Sequence, residues 1–345
     1  VRLLAPPAAM PAGPRLVARQ ALNFARRTLG MAKEWYTIDP LEVEGEYDLF
    51  FAIFHWPVHL SYLDRLARWR ERCRKAVCLL VELWPRETER GIYGPYFPLL
   101  EQFDQIFVSI GATVPALQRV VGRPCAFLPM GVDALRFAPC PPPPRTIDFY
   151  SFGRRLPDVH RALLDLAERE RRFYVYDTFR NSELLDYREH RALLASCVQH
   201  SRYVLAHRIT DSPDRLERTG GAEGVGPRWF EAAAGGAVLI GSAPNTPDYD
   251  ALFDWPDATI ELPADARLLP DAIAALDAEP ERLAAAGRNN VVNCLRRHDW
   301  LHRWERVLDS VGLPHTAAMA ARAARLDALA REAGVSSPPT RPLAV

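Results

Sequence analysis

The chain has 345 residues, with 43 Lys and Arg against 43 Asp and Glu and a formal net charge of zero. That length exceeds one typical hydrophobic core and suggests two domains of about 150 residues each. A neutral chain argues against a polyanion binder, which needs excess basic charge to release counterions, so no nucleic-acid partner is expected. Lys33 and Lys75 are the only lysines. Coding bias accounts for that skew, and its consequence is chemical: an anion site here must use Arg, His or backbone amides.

The six cysteines have no C-x-x-C spacing, so neither a zinc site nor a disulfide framework is expected, and a cytoplasmic setting fits. No apolar run approaches the roughly 18 residues that would span a bilayer. Leu16 to Lys33 reads as an amphipathic helix with a basic face carrying Arg19, Arg26 and Arg27. A surface helix of the first domain is the favoured reading, and a peripheral membrane contact is the sharper alternative.

From Asp48 onward, short apolar runs alternate with amphipathic ones. Asp48–Phe54 reads as a strand, Leu60–Cys73 as a helix, Ala76–Leu83 as a strand and Pro85–Pro95 as a loop. A helix near Pro98–Phe103, strand Gln105–Ser109, helix Val114–Val121 and strand Cys125–Leu128 follow. The prolines of 139–144 remove backbone donors and predict an extended linker. Beyond it the alternation restarts: strand Ile147–Phe152, helix Val159–Arg169, strand Phe173–Tyr176, helix Tyr187–Cys197 and strand Tyr203–Ala206. A Gly-rich loop from Thr210 to Gly226, helix Pro227–Ala234 and strands Ala237–Ile240 and Thr259–Leu262 complete the pattern before a helical remainder. This is an α/β chain of two Rossmann-like domains with parallel sheets, at 1–138 and 145–313, with a C-terminal helix over 314–335 and a tail over 336–345. Ligands of such sheets bind at the carboxyl ends of the strands, in a cleft that two such domains would share.

The stretch from Gly220 to Ile240 is the most informative. Glycines at 220, 221, 224 and 226 permit positive φ and close backbone approach, and Pro227 suits a first helical position. A Gly-rich turn feeding a helix start offers free N–H groups to a phosphate. Glu231, early on that helix, is suited to accept hydrogen bonds from a vicinal diol, and Glu223 lies in the loop with seven residues between the two.

These residues resemble the retaining GT-B glycosyltransferases. Glu223-Gly224-Val225-Gly226 with Glu231-Ala-x-Ala-x-Gly236 is similar to the E-x7-E signature of the family-4-like group. Pro129-Met-Gly-Val-Asp133-x-x-x-Phe137-x-Pro139 resembles that group's segment closing the N-terminal domain, and Gly153-Arg154 resembles its phosphate contact. Arg296-Arg-His-Asp-Trp300-Leu-His-Arg-Trp304 is similar to the C-terminal helix of the spore-coat-type (CgeB-like) branch.

The resemblance implies a cytoplasmic bacterial glycosyltransferase of GT-B fold. It would move a sugar from a UDP- or GDP-linked donor to an unknown acceptor hydroxyl, with retention, without metal and without a further cofactor. Glu231 would bind the ribose hydroxyls. Glu223 and the backbone of Gly224, Val225 and Gly226 would touch the transferred sugar and the diphosphate. Arg154, beside Gly153, would neutralise the departing phosphate, and His55 would face the transferred sugar. The family also carries a Lys a few residues beyond that arginine; here either His160 or Arg161 substitutes or the contact is lost, and the usual N-terminal Gly-rich loop is missing. Those departures motivate two rival readings, a degenerate nucleotide-sugar-binding scaffold and a sugar-nucleotide epimerase of the same fold. Asp248-Tyr-Asp250 spells a metal-binding pattern but reads as loop, and Glu82 is a candidate base if the reaction inverts. Trp56 and Trp84 are the tryptophans expected to follow strand ends toward the ligand, whereas Trp229, Trp255, Trp300 and Trp304 read as packing.

Overall fold

A computed structural model describes residues 2–4, 41–177 and 186–335. The helix expected over 16–33 and the tail over 336–345 lie outside the described residues. The chain divides into two compact units. The first contains 1–129 with two later returns, 218–222 and 310–313; the second contains 130–217, 223–309 and 314–345. Met130 to Ala138, which precede the proline run, thus cluster with the second unit.

In the first unit, strands β1 (Tyr47–Phe54), β2 (Cys73–Leu80), β3 (Gln105–Val108) and β4 (Cys125–Phe127) form one parallel sheet in that order. β2 and β3 are the inner strands. From Ala76 to Leu80 and throughout β3 every residue is buried, as a sheet covered on both faces requires. Leu60, Leu80, Leu100, Phe103, Ile106 and Leu117 form the centre of the core.

Three expected elements differ in this unit. Instead of a helix over 60–73, a 3-10 helix spans Pro57–Arg65, and Leu66–Ala67 then pairs with Leu41–Glu42. Pro57 suits the start of the earlier turn, and Arg68 adopts a left-handed φ of 56° in the turn between Leu66–Ala67 and β2. The expected loop over 85–95 holds a short helix α1 (Pro85–Glu89), and the next helix is a 3-10 turn over Gly94–Gln102. Helix α2 (Val114–Val121) matches its expected bounds and ends on Gly122 at φ 64°, the left-handed cap that glycine supplies without strain.

The second unit starts with α3 (Ala134–Phe137) and the strand β5 (Ile147–Ser151). Helix α4 (Pro157–Glu170), strand β6 (Tyr174–Tyr176), helix α5 (Tyr187–His200) and strand β7 (Ser201–His207) follow. Helix α6 (Pro213–Thr219) occupies part of the expected 210–226 loop and leads to α7 (Pro227–Ala234) and β8 (Val238–Ser242). Helix α8 (Pro247–Leu252) holds Asp248 and Asp250, so that pair is helical where a loop was expected. Strand β9 (Ile260–Glu261) and helices α9 (Leu269–Asp277), α10 (Pro280–Asn293), α11 (Trp300–Ser310) and α12 (Ala317–Val335) complete it.

The second sheet is parallel throughout, in the order β9-β8-β7-β5-β6. The chain leaves β5 toward β6 on one side and later adds β7 on the other. Strand order therefore reverses at β5 and β7, whose carboxyl ends flank the crevice where open α/β sheets bind ligands.

The segment 130–137 is clamped by the region around α11. Asp299 is fully buried and accepts hydrogen bonds from the Ala134 and Leu301 amides, both at 2.9 Å. Arg322 on α12 grips the same carboxylate with Nε and Nη2, each at 2.7 Å, and reaches Asp133 at 2.7 Å. The Arg303 guanidinium donates to the Met130 carbonyl at 3.0 and 2.7 Å. A side chain on Gly131 would meet the Trp300 ring at 3.0 Å, so glycine is what permits this close approach. The Met-Gly-Val-Asp motif and the Arg-His-Asp-Trp motif are two halves of one structural clamp. Among the described residues no helix is long and apolar enough to cross a membrane.

Candidate functional site

The crevice of the second unit is built by the segments that leave the carboxyl ends of β5 and β7. After β5 the chain turns at Gly153, whose φ of 73° is left-handed, and Gly153 N donates to Asp177 Oδ2 at 3.0 Å. Arg154 is exposed on this turn. After β7 the chain passes through α6 and the glycine loop to α7. Gly226 is extended, Pro227 begins the helix, and no side chain caps the first turn. That helix start keeps backbone N–H groups and the positive dipole end free for an anion. Positive φ occurs at Gly220 and Gly221 but not at Gly224 or Gly226, and Gly226 is the residue that enters α7.

Glu223 is buried, with Oε1 accepting from the Thr210 hydroxyl and Oε2 lacking any partner among the described residues. Burial raises its pKa, partly offset by the Thr210 hydrogen bond and the Arg208 charge. Val225 is a core residue of the unit. Glu231 lies buried on the second turn of α7. Its Oε1 accepts from Arg191 Nη1 at 2.5 Å, and the Arg191 guanidinium lies over the Phe137 ring, 5.0 Å from its centroid. The pairing of Arg191 with Glu231 spans 40 residues and gave no local signal in the sequence.

The two residues expected to replace the family's Lys are engaged elsewhere. His160 Nδ1 shares a 2.8 Å hydrogen bond with the Tyr174 hydroxyl, and burial followed by the Arg155 charge lowers its pKa. Arg161 stands in solvent, 3.8 Å from Asp158, with 74% of its side chain exposed.

The first unit holds a separate polar cluster. Glu82 Oε2 accepts from Trp56 Nε1 at 2.6 Å and lies 3.4 Å from His55 Nε2, while Oε1 accepts from Arg218 Nη1 at 3.1 Å. Arg218 Nε also donates to Glu87 Oε1 at 2.9 Å. Burial works to raise the Glu82 pKa, but hydrogen bonds from His55 and Trp56 and the Arg218 charge bring it down to about 2. His55 and Trp56 are exposed, and their rings meet edge-on at 4.7 Å. Trp84 is buried and packs internally, contrary to the expectation that it faces a ligand.

Residues 154–309 match the model of a glycosyl transferase-like family. No curated protein matches the sequence. Among solved structures, HepE from Anabaena in complex with UDP and glucose is similar at 14% identity and a TM-score of 0.52, over 88% of this chain and 84% of that one. An α,α-trehalose-phosphate synthase (UDP-forming) from Burkholderia vietnamiensis is similar at 12% identity and a TM-score of 0.52, over 88% and 78%. At these identities the likeness is one of fold, and the catalytic class comes from the family match. The chain has a GT-B fold and carries a glycosyl transferase-like domain at residues 154–309.

Proposed function

We propose that the chain moves a sugar from a nucleotide-diphosphate donor to an acceptor hydroxyl, with retention and without a metal, as a member of the CgeB-like branch. The observation that carries this reading is the assembly at one switch point of the left-handed Gly153 turn, an uncapped helix start and two buried carboxylates. Glu231 accepts hydrogen bonds from the ribose hydroxyls through the oxygen that Arg191 leaves open. Arg154 and the first amides of α7 stabilise the charge that develops on the leaving nucleoside diphosphate. Glu223 binds the transferred sugar with its unpartnered Oε2. The anomeric carbon–oxygen bond breaks, the acceptor oxygen bonds to that carbon on the same face, and a β-phosphate oxygen takes the acceptor proton.

His55, in the first unit, is the residue the resemblance assigns to the transferred sugar. UDP-glucose is the first donor to try, because HepE is a UDP and glucose complex on this fold. Calorimetry with UDP- and GDP-sugars tests the assignment: Glu231→Ala is expected to abolish binding, and unchanged affinity overturns it. The contact of His55 with Glu82 favours one alternative, inversion with His55 as a carboxylate-oriented base. The anomeric configuration of the product, read by NMR, separates the two.

A further inference from the structure

We propose that Arg228, on the first turn of α7, is the second cation of the diphosphate site and grips the leaving β-phosphate together with the Gly153–Arg154 turn. The proposal rests on the nucleotide-sugar reading above and goes beyond it by filling the place of the missing lysine.

The geometry carries it. Arg228 lies beside the phosphate turn: its Nη1 donates to the Arg154 carbonyl at 3.1 Å, and its Nη2 sits 2.6 Å from where a Gly153 Cβ would stand. The guanidinium is held over the Phe152 ring, 5.4 Å from its centroid. Its Nε is buried and has no hydrogen-bond partner among the described residues. No carboxylate forms an ion pair with it there, and a like charge, Arg154, is its neighbour, with Glu231 and Asp177 acting from further off. Burial first, then the Arg154 charge, lower its pKa to about 10, which leaves it charged at neutral pH.

A partly buried guanidinium next to a second arginine, with a buried orphaned Nε and no ion pair among the described residues, is unfavourable in the protein alone. A phosphate oxygen supplies the absent acceptor and the absent negative charge together, and a guanidinium fork matches its geometry. The rival positions lack these features, because the His160 ring is bonded to Tyr174 and Arg161 faces solvent beside Asp158.

The test measures UDP, UMP, GDP and GMP binding by calorimetry to the full chain and to its Arg228→Gln and Arg228→Lys variants. The wild type is expected to prefer the diphosphate over its monophosphate by about tenfold to a hundredfold, the worth of a charge-assisted contact. R228Q is expected to lose most of that preference while monophosphate affinity stays nearly constant, and R228K to fall between. An undiminished preference in R228Q overturns the proposal. If R228Q fails to fold, phenylglyoxal labelling of the wild type, read by peptide mass spectrometry, decides. UDP, GDP or inorganic pyrophosphate should slow modification of Arg228, and unslowed modification overturns the assignment. A wild type that binds neither nucleotide overturns the nucleotide-sugar reading as well, and shows it without any variant.

Discussion

Asp299 provides a sharp test of the clamp that holds the 130–137 segment. An aspartate bonded to a helix-start amide is ordinarily replaced by asparagine at little cost, because both offer an acceptor. Asp299 differs because all four of its close partners are donors: the Leu301 amide and Arg322 Nε on one oxygen, the Ala134 amide and Arg322 Nη2 on the other. In Asp299→Asn the side-chain NH2 must face two donors in either orientation, so asparagine should be clearly destabilising, though less so than alanine. In Asp299→Ala both buried amides lose a hydrogen bond to a charged group, at about 1.5–3 kcal/mol apiece; in Asp299→Asn one amide loses it and the other keeps a neutral acceptor. Arg322 adds less, because its side chain is 32% exposed and water can replace its partner. The expected loss is about 3–5 kcal/mol for D299A and about 1.5–3 kcal/mol for D299N, a large part of the roughly 5–15 kcal/mol that holds a typical domain together. Urea unfolding followed by circular dichroism should show the transition midpoint fall with its slope unchanged, in D299N and D299A alike. A D299N midpoint within about 1 kcal/mol of wild type would refute the reasoning.

Two further outcomes follow from the buried carboxylates. Glu223 has a raised folded-state pKa, so its charge is disfavoured in the fold. The stability it contributes is complete below the ordinary carboxyl pKa and is lost as pH rises through the raised value. Glu223→Gln should therefore resist urea better than wild type at neutral pH, by about 1 kcal/mol, with the gain vanishing in acid, while sugar transfer falls. A loss of stability in that variant at neutral pH contradicts the account. Glu82 has the opposite sign: its pKa falls from 4.5 to about 2, so its stabilisation is present above 4.5 and disappears as pH drops toward 2. Acid titration of the wild type should cost the first unit at most about 3 kcal/mol across that window, and Glu82→Gln should flatten the profile. An unaltered acid profile in E82Q would count against the Glu82 cluster as described.

Much of the architecture was legible along the chain because it is local. Continuous apolar runs such as Ala76–Leu80 and Gln105–Val108 can only be covered strands, and Pro227 after a glycine turn marks a helix start wherever it occurs. The family's glycine and glutamate spacing was visible for the same reason, since it reports one loop and one helix. Local pattern failed where a short stretch was settled by its surroundings. The 57–65 segment winds as a 3-10 helix, ended by the Leu66–Ala67 pairing with Leu41–Glu42, which nothing in its own residues announces.

What the sequence by itself determined is therefore the two alternating α/β runs, the helix start at Pro227 and the positions of Glu223 and Glu231. Only the tertiary structure decided which charges meet. It set Arg191 on Glu231 and placed Arg228 beside Arg154 with no ion pair among the described residues. It also joined Ala134 to Asp299 across 165 residues. The reason is physical: spacing along the chain governs propensity and periodicity, whereas the partner of a charged side chain is chosen by strand order and packing between distant segments.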